Sequence, residues 1–117
     1  MGLRGVFLTS DQPERTACFY RDVAELPLEE VGGAGDYVYW KLDDGRVQLA
    51  VHDAQRFADY AYPPLAASNL THLYFRIPEQ GAFLERLRAL GLSPRAVDDV
   101  VVTVGDPDGR HVMFGTA

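Results

Sequence analysis

One unit of a strand, a helix and further strands occupies the second half of this chain and constrains what the whole can fold into. Residues 71–77 alternate between apolar side chains and polar or aromatic ones, as a strand with one buried face does. Residues 78–91 have apolar side chains at helical spacing, with Pro78 expected in the first turn and a glycine at the end suited to a helix C-cap. A β-branched run over 100–104, an Asp/Gly turn and the segment 110–114 predict two more strands.

The first half of the chain is predicted to be a looser copy of the same unit. Its helix is expected to begin at Asp11, which can cap it, with Pro13 in the first turn and Glu14 completing a capping box. In the second half, residues 93–99 must supply the strand that completes the match, and Pro94 restricts that strand to a sheet edge. The strands of the first half are predicted over residues 3–9, 28–31, 36–42 and 46–52.

These patterns predict an α+β fold in one domain made of two βαβββ modules. The modules span about 3–52 and about 70–117, and a connector over 53–69 joins them. A short helix is expected within 53–60, because the prolines that follow cannot continue one.

Alternation along the strands separates a core face from a second face rich in aromatic and polar side chains. The second face suits the wall of a ligand cleft, although tyrosines at alternating strand positions can also be ordinary cross-strand pairs. Arg76 can bind a substrate carboxylate or pair with Asp36, whereas His52 is expected to be solvated at a strand end. The candidate ligand-binding residues are Phe7, Tyr37, Tyr39, Gln48, His72, Tyr74, Arg76, His111 and Met113.

Composition excludes several classes of function. A net charge of −6 argues against a nucleic-acid binder, which needs a basic patch, and is compatible with a cationic ligand. The single cysteine, Cys18, allows no internal disulfide and is expected to pack in the first helix. The sequence has no membrane-spanning run and no secretion signal, so we expect a cytosolic protein with no nucleic-acid or membrane partner.

Three motifs in order carry a resemblance to a known family. They are Phe19-Tyr20-Arg21-Asp22 in the first helix, the segment 83–91 in the second, and Asp106-Pro107-Asp108-Gly109-Arg110 before the last strand. Together they resemble the vicinal oxygen chelate superfamily, which includes glyoxalase I, extradiol dioxygenases, fosfomycin-modifying enzymes and bleomycin-binding resistance proteins. The resemblance implies that the two modules form a curved, mostly antiparallel mixed sheet around a cleft, usually completed by a homodimer.

The resemblance also implies four metal-ligand positions, which in this chain fall on Gly5, Gln48, His72 and Met113. Pattern matching of the two modules pairs Gly5 with His72 and Gln48 with Met113. Glycine has no ligand atom, and a methionine thioether does not suit Mg²⁺, Mn²⁺ or Zn²⁺ in an oxygen-rich site. We therefore expect no metal and no other cofactor.

The sequence leaves three functions open. The first is a metal-free protein that binds an organic molecule in an aromatic-lined cleft, similar to the drug-sequestering members of the family. The alternative is a divalent-metal-dependent lyase, isomerase or dioxygenase that uses His72, Gln48 and a third group. The third is a small domain that binds another chain. The sequence does not decide whether the protein is an enzyme.

Overall fold

The computed structural model describes residues 2–33, 37–57 and 72–117. The chain divides into two compact units, Met1–Pro64 and Leu65–Ala117, and each is described by itself. The boundary between the units falls inside the predicted connector over 53–69.

The first unit contains a mixed four-stranded sheet with strand order β1-β4-β3-β2. Strand β1 pairs with β4 in parallel, whereas β3 is antiparallel to both β4 and β2. The elements are β1 (Gly5–Ser10), α1 (Pro13–Asp22), β2 (Glu29–Val31), β3 (Tyr39–Asp43), β4 (Gln48–Asp53) and α2 (Ala54–Phe57).

Helix α1 packs its buried side chains against β1, β3 and β4. The predicted cap is wrong: the N-cap residue is Gln12, which makes no side-chain cap hydrogen bond, while the Ser10 hydroxyl accepts from the Gln12 backbone N–H at 2.9 Å. Cys18, which was predicted to pack, is exposed. The core of this unit contains Leu8, Ala17, Phe19, Tyr20, Val23, Leu28, Trp40 and Val51.

The second unit repeats the topology of the first, with strand order β5-β8-β7-β6. Strand β5 pairs with β8 in parallel, and β7 is antiparallel to its neighbours. The two-residue strand β6 lies at the sheet edge, as the proline in this segment predicted. The elements are β5 (Leu73–Arg76), α3 (Gln80–Ala89), β6 (Ala96–Val97), β7 (Val101–Gly105) and β8 (His111–Gly115). The predicted α+β fold with two βαβββ modules is therefore confirmed.

Helix α3 is closed at both ends by its local sequence. Pro78 lies before the helix and not in its first turn, because Glu79 is the N-cap and its carboxylate accepts the N–H of Gly81 and Ala82 at 2.8 and 2.6 Å. At the other end Gly91 adopts a φ of +72°, and the N–H of the next residue, Leu92, donates to the Leu87 carbonyl at 2.9 Å. This is the glycine-terminated ending that the sequence predicted.

Among the described residues, none of the helices combines the length and the apolar composition that crossing a bilayer requires.

The turn between β7 and β8 is organised by one buried carboxylate. Asp106 accepts the backbone N–H groups of Asp108 and Arg110, both at 2.9 Å, and an N–H of the Arg110 guanidinium at 2.9 Å. Gly109 has a φ of +86°, a backbone conformation that glycine adopts without strain. The turn therefore fixes where β8 begins, and with it the register of the last strand.

We expect the substitution Asp106→Ala to lower the free energy of unfolding by about 2–3 kcal/mol, because two backbone N–H groups and a guanidinium lose their acceptor. Urea denaturation measures this loss. Asp99→Ala, at an exposed position of the same unit, is the control and should cost less than about 0.5 kcal/mol. Equal losses in the two variants would contradict the organising role of Asp106.

Candidate functional site

The face of the first sheet that points away from α1 carries a cluster of aromatic side chains. Ser10 marks the opposite face, because its hydroxyl lies 3.2 Å from the Thr16 hydroxyl of α1. The strand registers place Phe7 beside Ala50 and Thr9 beside His52, on the face away from the helix. We call the cluster of Phe7, Tyr37, Tyr39, His52 and Phe57 the aromatic face.

His52 lies at the centre of the aromatic face. Its ring stacks on Tyr39 with 4.7 Å between ring centroids and 12° between ring planes. The rings of Phe57 and Phe7 lie 4.9 and 5.4 Å from it, and Phe7 presents an edge. The structure therefore brings three sequence-predicted residues (Phe7, Tyr37 and Tyr39) together around a histidine that was not among them.

One hydrogen bond fixes the orientation of the His52 ring. The Tyr37 hydroxyl lies 2.9 Å from Nδ1, and the Arg56 guanidinium lies 5.9 Å from the centre of the Tyr37 ring, within range of a cation–π contact. The prediction that His52 is solvated is wrong, because only 9% of the residue is exposed. Strand β4 continues to Asp53, so His52 lies within the strand and not at a frayed end.

Burial lowers the pKa of His52 from its usual value, because the imidazolium form loses hydration among aromatic rings. The ring is therefore neutral at pH 7, with a proton on only one nitrogen. A neutral imidazole donates one hydrogen bond from its protonated nitrogen and accepts one at the other, which suits it to orient a ligand on an otherwise apolar surface.

The sequence contained part of the signal for this cluster. His52 shares strand parity with Gln48 and Ala50, which placed it on the second face, and only the assumed strand end argued against it. No strand pattern pointed to Phe57 or Arg56, because both belong to α2, a one-turn helix that follows β4 directly.

The second unit carries a more polar counterpart of this face. The rings of His72 and His111 lie 6.3 Å apart, edge to face, and Tyr74 and Met113 are register partners on β5 and β8. The Tyr74 hydroxyl donates to the Ala117 carbonyl at 3.0 Å. The Arg95 guanidinium lies 3.3 Å from His111 Nε2, to which it donates.

Two of the predicted ligand residues lie apart from both clusters. Arg76 is exposed at the end of β5, beside Gly115. Its proposed partner Asp36 lies outside the described residues. Gln48 is at the hairpin end of β4, where its amide donates to the Asp43 carboxylate at 3.4 Å.

The hairpin end of the first sheet also holds an open concavity of about 520 Å³. Arg4 donates to both Asp43 carboxylate oxygens, at 3.1 and 2.7 Å, and this hydrogen bonding lowers the pKa of Asp43 to about 2. Lys41 and Glu29, register partners on β3 and β2, also line it. This concavity is therefore a charged surface distinct in character from the aromatic face.

The strand registers correct the pattern match between the modules. Phe7 pairs with Ala50 in the first unit, and Tyr74 pairs with Met113 in the second. The sequence aligned β1 with β5 so that Gly5 matches His72, and in that alignment Phe7 matches Tyr74. Ala50, and not Gln48, is therefore the counterpart of Met113. The sequence match missed this because it aligned the last strands by apolar pattern, which repeats every two residues.

The residues at the implied metal-ligand positions do not fit a divalent cation. Gly5 has no ligand atom, and a Cβ at this position would lie 2.9 Å from a ring carbon of Phe7, so a larger side chain would require that ring to move. In the corrected match, the last-strand position of the first unit is Ala50 and not Gln48, so a methyl group that cannot bind a metal replaces an amide. Throughout the ranges that the structure describes, no three His, Cys, Asp or Glu side chains are grouped so that they could hold a metal ion.

The buried His52 makes stability depend on pH in a defined direction. Its pKa is lowered in the folded protein, so the unfolded chain, with a pKa near 6.5, takes up the proton first as the pH falls. The free energy of unfolding should therefore decrease from about pH 7.5 to about pH 5.5, and His52→Phe should remove part of that decrease. Urea denaturation at both pH values checks this, with His72→Phe at an exposed position as the control. The same pH dependence in the wild type and His52→Phe would contradict it.

Comparison with known proteins shows what this fold resembles. No protein-family model matches the sequence, and no curated protein is significantly similar to it. A lactoylglutathione lyase from Agrobacterium tumefaciens is similar in structure, with 23% identity over 97% of this chain and 92% of that chain and a TM-score of 0.67. A trypanothione-dependent glyoxalase I from Leishmania major matches 98% of this chain and 86% of that chain, with 12% identity and a TM-score of 0.68.

An antibiotic-binding protein from a Streptomyces species matches 98% of this chain and 94% of that chain, with 19% identity and a TM-score of 0.65. These similarities extend over nearly the whole chain, through both βαβββ modules. Two enzymes and a binding protein thus share one arrangement of strands and helices with it. The chain therefore has the fold that these glyoxalase and antibiotic-binding structures share, which is the fold that the family resemblance implied.

Proposed function

We propose that this protein is a metal-free small-molecule-binding protein of the glyoxalase/bleomycin-resistance type that holds an organic ligand against its aromatic face. The observation that carries the proposal is the cluster of rings around the buried, neutral His52. Half of the Phe7 surface is exposed, at 50%, although Phe7 contacts both His52 and Phe57. A ligand that covers these rings gains roughly 25 cal/mol for each Å² of apolar surface removed from water.

The aromatic face has the composition of a small-molecule site. Such sites are mainly apolar and aromatic, with a few polar groups that orient the ligand. Here the rings supply the apolar surface, and His52, Tyr37 and Arg56 supply the polar groups. We retain the polar face of the second unit (His72, Tyr74, His111 and Met113) as a second ligand-contacting surface, as the sequence predicted, with Arg76 at the end of β5 and Gln48 at the end of β4 as further contacts.

The alternative is a divalent-metal-dependent lyase, isomerase or dioxygenase. Two observations favour it: the lyase and glyoxalase I among the structural neighbours, and His72 at one of the implied ligand positions. The residues at the other ligand positions argue against the enzyme, because Gly5, Ala50 and Met113 have no carboxylate or imidazole. The Streptomyces neighbour, described as antibiotic-binding, shows that the same fold also occurs in a binding protein.

The same proposal includes three further expectations. The whole chain acts as one domain of two modules, the protein is a homodimer, and it is located in the cytosol. The family resemblance supports the dimer, and the single cysteine is compatible with a reducing compartment.

Thermal unfolding in buffer that contains EDTA tests the proposal with three planar bicyclic probes, namely 2-naphthoate, 2-methylnaphthalene and 1-methylquinolinium. We expect at least one probe to raise Tm by about 5 °C at ten times its Kd, since a ligand that binds only the folded state stabilises it. Phe7→Ala should reduce the shift, because it removes exposed aromatic surface from the site. Val97→Ala, at a residue with 49% exposure in the other unit, is the matched control.

Metal removal separates the proposal from its alternative. We expect EDTA to leave Tm and probe binding unchanged, because none of the proposed contacts passes through a metal ion. A fall in Tm on adding EDTA that Zn²⁺ or Ni²⁺ reverses would support the enzyme. Absence of any shift with all three probes would rule out the binding face as proposed.

A further inference from the structure

One polar atom that a ligand can reach on the aromatic face belongs to His52. Its Nδ1 is bound to Tyr37, while Nε2 has no hydrogen-bond partner among the described residues. In that part of the chain, no fully buried side-chain nitrogen or oxygen is left without a partner. Nε2 is therefore not fully buried. It contributes to the 9% of His52 that solvent can reach between the surrounding rings.

The hydrogen bond with Tyr37 decides which nitrogen carries the proton. An imidazole nitrogen with a free lone pair is a strong acceptor, whereas a phenol oxygen, whose lone pair conjugates with its ring, is a weak one. The Tyr37 hydroxyl is therefore the donor in the 2.9 Å contact, and Nδ1 is the acceptor. In the neutral ring the proton then sits on Nε2, which presents an N–H to a ligand.

Among the described residues, the charged side chains on the side of the aromatic face are cationic, opposite in sign to the net charge of the chain. The Arg56 guanidinium lies over Tyr37, the hydrogen-bond partner of His52. The adjacent carboxylate, Asp53, follows His52 in the strand and so has the opposite parity, and it accepts the N–H groups of Gln55 and Arg56 at 3.0 and 3.1 Å. Lys41 shares the aromatic face but pairs in register with Glu29, so its charge is partly balanced.

A ligand on the aromatic face is affected more by the nearby cation than by the net charge of −6, because the effect of a charge depends on its distance. Charges separated by more than about 8 Å are largely screened at physiological ionic strength, whereas a guanidinium at the edge of the site is not. A ligand on the aromatic face therefore meets an N–H donor and a nearby cation, which together disfavour a cationic ligand.

We propose that the aromatic face selects planar aromatic anions, such as aromatic carboxylates, whose oxygen accepts a hydrogen bond from His52 Nε2. This inference rests on the proposed function and specifies the class of its ligand. His52 and Arg56 contact the ligand, and Tyr37 is a positioning residue that holds the proton on Nε2. The selection is opposite to the one that the acidic composition suggested.

The test compares the affinities of 2-naphthoate, 2-methylnaphthalene and 1-methylquinolinium for the full chain at neutral pH. We expect 2-naphthoate to bind at least tenfold more tightly than the other two. His52→Phe keeps an aromatic ring but removes the donor, so it should weaken 2-naphthoate roughly tenfold to a hundredfold and leave 2-methylnaphthalene within about twofold. Arg56→Gln should weaken 2-naphthoate about twofold to fivefold, and Arg88→Gln, an exposed arginine of α3, is its control.

A spectroscopic measurement tests the positioning role of Tyr37 independently. The ¹⁵N chemical shifts of the His52 ring distinguish an Nε2–H tautomer from an Nδ1–H tautomer. We expect Nε2–H in the wild type and a mixture in Tyr37→Phe. Nδ1–H in the wild type would overturn the proposal.

The binding results separate two kinds of failure. Equal affinities for the three probes, or a preference for 1-methylquinolinium, would overturn the anion selectivity and leave the proposed binding function in place. The same conclusion follows if His52→Phe retains the preference for 2-naphthoate. If none of the probes binds the wild type, the proposed function fails, and the ligand class fails with it.

Discussion

The parallel pairing of the first and last strand within each unit is the constraint on which the candidate sites depend. It joins β1 to β4 and β5 to β8, strands that lie far apart in sequence. Register partners in a parallel pair project to the same side, so this pairing alone brings Phe7 to Ala50 and Tyr74 to Met113. The Asp106 turn, which fixes the start of β8, therefore influences the position of His111 and Met113 as well as stability.

The fold was largely predictable because its signals are local. Strand alternation, the glycine that ends α3 and the Asp/Gly turn each act within a few residues, and together they define two βαβββ modules. The cap of α1 was not predictable in the same way. Asp11 has the right chemistry for a cap, but the helix begins at Pro13, and the Ser10 hydroxyl takes the Gln12 N–H. Tertiary contact of Ser10 with Thr16 thus outweighed local propensity.

The candidate site was predictable only in part, because register is not a local property. Strand parity identified the correct face for Phe7 and Tyr39, yet an offset of two residues preserves parity, so Gln48 was matched where Ala50 belongs. His52 was discounted as a strand-end residue, and its ring in fact lies against Phe57, a residue of α2 that no strand pattern includes. Side chains that meet through an irregular segment leave no periodic signal in the sequence.

One of the implied metal positions, Gly5, is linked to the aromatic face by its close approach to the Phe7 ring. A Cβ at position 5 would lie 2.9 Å from a ring carbon of Phe7, so a ligating residue there would require the Phe7 ring to move. Phe7 in turn contacts His52 and Phe57. The absence of a side chain at Gly5 therefore allows this placement of Phe7, and burial among the rings lowers the pKa of His52. Where the family resemblance implied a ligand for a cation, the first sheet has a glycine beside a cluster of aromatic rings.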